Sequence, residues 1–193
     1  MIQYKIAKIK KILRHELDKE RYEHTLGVMY TASSLAMAHN CNIHKALVAG
    51  LLHDCAKCIS GDAKIKLCQK HNLPIQDFEK KNPGLLHAKL GAFLAKKKYQ
   101  IADNEILDAI AYHTTGRPNM TLLDKIVYIA DYIEPNRFTA PNLDAVRELA
   151  FKDIDECLYK ILSDSLEYLN TKNMPVDPMT EQTFQFYKKE LKK

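Results

Sequence analysis

The sequence lacks several features that would place it in a membrane or in an oxidising compartment. None of its 193 residues falls in an apolar run of the roughly 20 residues that cross a bilayer. The N-terminal segment mixes apolar residues with lysines, without the continuous apolar core or small-residue cleavage site of a signal peptide. The five cysteines are an odd number and lack the spacing of a disulfide framework. These absences predict a cytoplasmic protein with reduced thiols and no membrane partner.

A strong charge of either sign is also missing. The chain has 29 basic and 24 acidic residues, which gives a formal net charge of +5 at pH 7. Its lysines are scattered apart from short clusters, one of them at residues 96–98. This mild basicity argues against a nucleic-acid partner and suits a small polyanion such as a nucleotide.

Alternating apolar and polar runs are absent, and helical spacing takes their place almost throughout. Helix-start signals support this pattern: Thr121 with Asp124 and Asp153 with Glu156 both resemble capping boxes. Pro83 after an asparagine is typical of a first helical position. The pattern predicts an all-α protein.

The connections between the predicted helices are short, and none has the composition of a linker between domains. We therefore expect residues 1–193 to form a single domain. The segment after about residue 174 contains Pro175 and Pro178, and we expect it to be loosely attached.

The most informative pair is His53-Asp54, which follows the apolar run at residues 46–52. Such a run predicts a helix that is buried on nearly all sides. An unpaired carboxylate at its end would cost several kcal/mol on leaving water. A metal cation is the simplest compensation, because adjacent His and Asp offer nitrogen and oxygen ligands at one place.

Four other helical segments each direct one metal-ligand type of side chain toward the apolar face. Taken singly, an inward histidine is more often a hydrogen-bonded core residue than a ligand. Five segments that bury such groups would leave several polar atoms needing partners, and one cluster satisfies them all. The inward set is His24, His53, Asp54, His87, His113 and Asp131, whereas His15, His39, His44 and His71 have polar contexts and are expected at the surface.

Other catalytic motifs are weak or missing. Cys55 and Cys58 have the redox spacing C-x-x-C, but no βαβ context and no second cysteine pair accompany them. The serines form no apparent triad with a base, and no glycine-rich phosphate loop is present. A metal-assisted reaction without a side-chain nucleophile is the remaining hypothesis.

The order of these residues resembles the HD-domain metal phosphohydrolases in the variant with two metals. More narrowly, four sequence motifs are similar to those of the YqeK family of symmetrical bis(5'-nucleosyl)-tetraphosphatases, and the resemblance extends from about Tyr4 to Leu169. The motifs are RYEHTLGV at 21–28, HDCAK at 53–57, HTTG at 113–116 and YIADYIEPNR at 128–137. The resemblance implies an HD-domain helical bundle with the metal site between its central helices.

The resemblance also implies a ligand set. One metal would be held by His24, His53, Asp54 and Asp131, and Asp54 would bridge to a second metal held by His87 and His113. Iron is the expected metal, with manganese or zinc as alternatives. A hydroxide held by the two metals would be the nucleophile, so no Ser or Cys nucleophile is required.

The implied substrate is diadenosine tetraphosphate, cut symmetrically to two ADP. Asp54 and Lys57 are the expected catalytic residues, Lys57 because its charge could neutralise a phosphoryl oxygen during attack. Expected substrate contacts are Arg21, Lys57, Thr114, Thr115, Gly116 and Arg137, with a salt bridge as an equally weighted alternative for Arg21.

Three questions stay open at this stage. The same metal site would also suit a phosphoester of another nucleotide. A nucleotide-binding regulator with this fold but no turnover is the alternative outside enzymes. The sequence also leaves open whether the chain acts as a monomer or a homodimer.

Overall fold

The computed structural model describes residues 4–140 and 142–191, so residues 1–3, 141 and 192–193 of the expected domain lie outside the described residues. Within those ranges the chain forms helices, turns and irregular segments but no β-strand, which confirms the all-α prediction. None of these helices is long and apolar enough to cross a membrane. The helices are α1 Ile6–Glu16, α2 Lys19–Ala38, α3 Ile43–Leu52, α4 Gly61–Lys70, α5 Asp77–Lys81, α6 Leu86–Lys97, α7 Asn104–Tyr112, α8 Leu122–Ile133, α9 Leu143–Ala150, α10 Ile154–Thr171 and α11 Pro178–Glu190.

Helix α3 lies at the centre and packs against α2, α7 and α8. Its side chains are buried on nearly every side, as the apolar run predicts. Gly50 allows α2 to cross closely, because a Cβ at this position would lie 3.0 Å from the Cα of Met29. This crossing brings the second turn of α2 beside the end of α3.

Local sequence signals explain where several helices begin. Thr121 and Asp124 form the reciprocal capping box that the sequence predicts at the start of α8. The Asp153 side chain accepts hydrogen bonds from two N–H groups in the first turn of α10 and so caps this helix. Its own N–H donates to the carbonyl of Leu149 rather than to Glu156, so the expected capping box is not formed. Pro83 opens a short 3-10 turn that leads into α6.

The C-terminal segment is packed, which differs from the loose attachment expected after residue 174. In α11 the Tyr187 side chain is only 4% exposed and joins the main hydrophobic core. Its hydroxyl accepts a hydrogen bond of 2.9 Å from the backbone N–H of Met120. The two prolines precede α11 or occupy its first turn, where proline is compatible with a helix.

Candidate metal centre

Six predicted ligand residues lie where the ends and inner faces of five helices meet. Five of them are buried, and the Asp131 side chain is 22% exposed. Because the helices come from distant parts of the chain, only the fold brings these groups together. The residues are His24 in the second turn of α2, His53 and Asp54 directly after α3, His87 in the first turn of α6, His113 directly after α7 and Asp131 in the last turn of α8.

Three of the imidazoles are held by the backbone of their own segment. The Nδ1–H groups of His53, His87 and His113 donate to the carbonyl three residues earlier, at 2.7, 2.6 and 2.7 Å. A carbonyl oxygen only accepts, so each Nδ1 carries the proton. In the neutral imidazole the Nε2 atom then presents a lone pair, which is the form that binds a metal.

The four Nε2 atoms converge in two pairs. His24 Nε2 and His53 Nε2 are 3.3 Å apart, and His87 Nε2 and His113 Nε2 are 3.1 Å apart. Two lone pairs at this distance repel each other unless a positive charge lies between or beside them. The arrangement fits a bound cation better than a hydrogen-bonded core.

The Asp54 carboxylate faces both imidazole pairs. Its Oδ1 lies 3.1 Å from His87 Nε2 and 3.6 Å from His113 Nε2. Its Oδ2 lies 3.5 Å from His53 Nε2 and 3.9 Å from His24 Nε2. In the described part of the chain, the buried Oδ1 accepts no hydrogen bond. One carboxylate therefore offers an oxygen to each side of the cluster.

Asp131 completes the first side of the cluster. Its Oδ1 is 3.0 Å from His24 Nε2 and 3.9 Å from His53 Nε2. His24, His53 and Asp131 form one metal-compatible group. His53, Asp54 and His113 form a second group, which shares His53 with the first. The mixed nitrogen and oxygen donors, together with the orphaned Asp54 oxygen, fit a divalent metal ion.

The surroundings keep both carboxylates and the His87 imidazole in the protonation states that metal binding needs. Burial alone would raise the pKa of Asp54, but the imidazoles of His53, His113 and His87 outweigh it and hold the pKa well below its usual range. The pKa of Asp131 is lowered in the same way, because imidazoles that include His24 outweigh the effect of burial. Burial lowers the pKa of His87 to about 4 despite the neighbouring Asp54. The carboxylates are thus ionised and His87 is neutral at pH 7.

Basic side chains surround the cluster, and the two predicted substrate arginines both have carboxylate partners. Arg21 donates from Nη1 to Asp54 Oδ2 at 2.8 Å, and Arg137 donates from Nη2 to Asp131 Oδ1 at 2.9 Å. Both side chains stay partly exposed. Lys57 Nζ lies 3.3 Å from His87 Nε2. These cations line the open edge of the cluster.

The segment after α7 contains three of the predicted substrate contacts. Thr114 Oγ1 lies 3.3 Å from His87 Nε2 and 3.2 Å from His113 Nε2, within the cluster. The Thr115 hydroxyl instead donates to the carbonyl of Gly116. The backbone N–H of Gly116 donates to Tyr112 O at 2.8 Å, so in this structure it has a partner within its own turn. Gly116 lies four residues beyond the end of α7 and has a φ of +66°, in the left-handed region that favours glycine.

Two histidines expected at the surface are half-buried structural residues. The His39 ring contacts the carbonyl of Ala150 at 2.7 Å, which ties α2 to α9. His44 Nε2 accepts a 2.9 Å hydrogen bond from the backbone of Tyr4. Because both partners are distant in sequence, the residues around each histidine do not predict its burial. His15 and His71 are exposed as predicted.

The two cysteines of the C-x-x-C motif lie in separate environments. Cys55 is buried and donates to the carbonyl of Gly91, whereas Cys58 is exposed and donates to Asp18. Burial raises the pKa of Cys55 to about 12, which makes this thiol inert. The structure gives no support to a redox pair, in agreement with the sequence interpretation.

Sequence reasoning missed two buried charged residues beside the cluster. The Lys64 amine donates to the carbonyls of Lys57 and Ile59, at 3.1 and 2.6 Å, and so holds the turn that carries Lys57. Glu134 contacts His24. The helical pattern does not predict that Lys64 is buried. Glu134, in contrast, lies within the family-like sequence motif at 128–137.

Two cavities border the cluster. One of about 470 Å³ borders His113 and carries the aromatic side chains of Tyr132 and Tyr168. The other, of about 660 Å³, borders His24. Arg137 lines both cavities. A ligand that contacts Arg137 would have access to both cavities.

Comparisons with known proteins agree with this geometry. The family model described as HD domain matches residues 21–136. The symmetrical bis(5'-nucleosyl)-tetraphosphatase of Bacillus subtilis is 41% identical over 172 residues, covering 89% of this chain and 91% of the relative. The Halalkalibacterium halodurans protein of the same name is 38% identical over 178 residues, covering 92% and 94%.

A solved structure from Clostridium acetobutylicum is also similar. It is described as a "predicted HD superfamily hydrolase involved in NAD metabolism". The TM-score is 0.93 at 38% sequence identity, and the match covers 98% of this chain and 100% of that chain. The fold is therefore shared over nearly all of this chain.

Proposed function

We propose that this chain, which belongs to the HD-domain family together with the symmetrical bis(5'-nucleosyl)-tetraphosphatases, is a hydrolase that cleaves diadenosine tetraphosphate to two ADP. The observation that carries the proposal is the convergence of four imidazole Nε2 atoms on two ionised carboxylates. Relatives matched over most of their length carry the name of this activity.

The cluster is proposed to hold two divalent metal ions. His24, His53 and Asp131 would bind one ion, His87 and His113 would bind the other, and Asp54 would reach both because its two oxygens face different imidazole pairs. Iron is the metal we favour, with manganese or zinc as alternatives suited to these ligands. Such ions neutralise phosphoryl oxygens and lower the pKa of water toward neutrality.

The chain's own cations are suited to the remaining charge of a tetraphosphate. Lys57 is the proposed catalytic cation, since its amine stands beside His87 and its side chain is 37% exposed. Charge that develops on a phosphoryl oxygen there would be stabilised without reorganisation. The exposed parts of Arg21 and Arg137 would hold phosphates on either side, and Thr114 would add a neutral donor.

The two cavities offer room for the two nucleoside ends of the substrate. A tetraphosphate that is cut at its middle bond leaves one nucleoside diphosphate on each side of the metals. The cavity with Tyr132 and Tyr168 would stack one nucleobase, and the cavity beside His24 would hold the other half. Arg137, which lines both, would bind the phosphates between them.

Product analysis tests this function. Purified protein loaded with iron or manganese is incubated with diadenosine tetraphosphate, and the products are separated by ion exchange. Two ADP per substrate are expected, and ATP plus AMP would contradict a symmetrical cut. Faster hydrolysis of a nucleoside triphosphate in a matched panel would instead favour another nucleotide.

Two variants make the test specific. His113→Ala removes a proposed ligand and should abolish hydrolysis, whereas His15→Ala changes an exposed histidine on α1 and should leave the rate unchanged. If His113→Ala still bound nucleotide and hydrolysed it at the original rate, the cluster would not be the catalytic centre.

A further inference from the structure

His24 is anchored differently from the other three imidazoles of the cluster. It lies inside the 20-residue helix α2, where the carbonyls of the preceding turn accept helical hydrogen bonds. Its Nδ1 therefore lacks the local backbone acceptor that the other rings use. Instead it donates to Glu134 Oε1 at 3.0 Å, across 110 residues of sequence.

Glu134 is well suited to fix this ring. It is only 1% exposed, and its second oxygen, Oε2, accepts a 2.8 Å hydrogen bond from the backbone N–H of Asn136. In the part of the chain that the structure describes, its ion-pair partner is His24 and no lysine or arginine contacts its carboxylate. A buried carboxylate is costly unless it is paired and hydrogen-bonded, and the partner that compensates Glu134 is the His24 imidazole.

Gly27 provides the space that Glu134 needs. It lies three residues after His24 on α2, and an ideal Cβ there would be 2.2 Å from Glu134 Oε2 and 3.1 Å from Cδ. Any other residue would push the carboxylate away from His24. Glycine inside a helix costs about 1 kcal/mol relative to alanine, and the close approach of Glu134 explains its use here.

We propose that Glu134 is a positioning residue that fixes the tautomer and orientation of His24, and that Gly27 is required for this contact. The inference rests on the proposed metal centre, because His24 is taken as a ligand there. A carboxylate on Nδ1–H directs the Nε2 lone pair at the metal and makes it a stronger donor. The Glu134–His24 contact thereby raises metal affinity without touching substrate.

Metal affinity, measured without substrate, tests this role. Mn²⁺ is titrated into the metal-free full chain by calorimetry, for the original protein, Glu134→Gln and Gly27→Ala. Glu134→Gln should weaken binding about 10- to 100-fold, which is the range for such outer contacts. Gly27→Ala should weaken it similarly, although the carboxylate is still present. Glu148→Gln, at an exposed glutamate on α9, is the matched control and should not change affinity.

The double variant separates positioning from general damage. If both changes act through one contact, Glu134→Gln with Gly27→Ala should lose little more affinity than either single variant. A melting temperature in chelator monitors the fold independently. Unchanged Mn²⁺ affinity in a folded Glu134→Gln protein would overturn the inference, whatever its melting temperature. If the original protein bound no Mn²⁺, the metal centre itself would fail as well.

Discussion

Replacing Asp54 by asparagine should separate metal binding from folding. In the original protein, Asp54 offers one oxygen to each imidazole pair, and its Oδ2 pairs with Arg21. The asparagine amide oxygen would keep the Arg21 contact, and its NH₂ would donate to the Nε2 atoms near the former Oδ1. We therefore expect Asp54→Asn to fold in chelator at least as stably as the original protein.

Metal binding should suffer severely from the same change. Removing an outer partner of a ligand typically costs 10- to 100-fold in metal affinity, so losing a carboxylate that faces both sides should cost about 100-fold or more. This corresponds to about 2.8 kcal/mol, at about 1.4 kcal/mol for each tenfold. At a metal concentration of about 100 times the original Kd, the original protein gains about 2.7 kcal/mol of stability.

The variant should gain only about 0.4 kcal/mol under the same conditions, from the same mass-action relation. For a chain of this size, the difference of about 2.3 kcal/mol corresponds to about 5–9 °C in melting temperature. The assay compares melting with Mn²⁺ and with chelator, and Asp144→Asn, at a fully exposed aspartate, is the control. An Asp54→Asn protein with the same metal-induced shift as the original would refute the reasoning.

Three further predictions concern the cavity, the pH response and the C-terminal helix. Tyr168→Ala should raise KM for the tetraphosphate about tenfold with little change in kcat, since base–aromatic stacking contributes about 1–3 kcal/mol; an equal effect from the exposed Tyr30→Ala would argue against this. The pKa of His87 is lowered from 6.5 to about 4, so the unfolded chain binds more protons between these values. Metal-free protein should therefore lose up to about 3 kcal/mol of stability as the pH falls from 6.5 toward 4, and His87→Asn should flatten this slope in urea titrations. Gly116→Ala should cost about 1–3 kcal/mol in urea unfolding, because its φ is +66° and a Cβ would lie 2.7 Å from Thr183 Cγ2; wild-type stability would mean that α11 is not packed there.

The all-α fold class and the residues of the cluster could both be predicted from the sequence, but for different reasons. Helical periodicity is a local signal, and the burial of α3 follows from its composition. Asp131 and His113 could be assigned to inner faces by their spacing from apolar neighbours. The pairing of these groups into two sides rested on the family resemblance, since spacing within one helix carries no information about another.

The partners of the cluster could not be predicted from local pattern. Glu134 contacts His24 across 110 residues, and Arg21 was as easily a substrate contact as an ion-pair partner of Asp54. The packing of α11 also involves contacts between residues distant in sequence, among them the hydrogen bond from the Met120 N–H to the Tyr187 hydroxyl. A glycine in the middle of α2 was the one available hint of a close approach, and only the fold identifies what approaches it.

Anomalous X-ray diffraction from crystals grown with Mn²⁺, measured above and below the manganese absorption edge, tests the central claim most directly. Two anomalous peaks are expected, one beside His24, His53 and Asp131 and the other beside His87 and His113, with Asp54 between them. Peaks elsewhere on the molecule, with none among these six side chains at saturating Mn²⁺, would contradict the account.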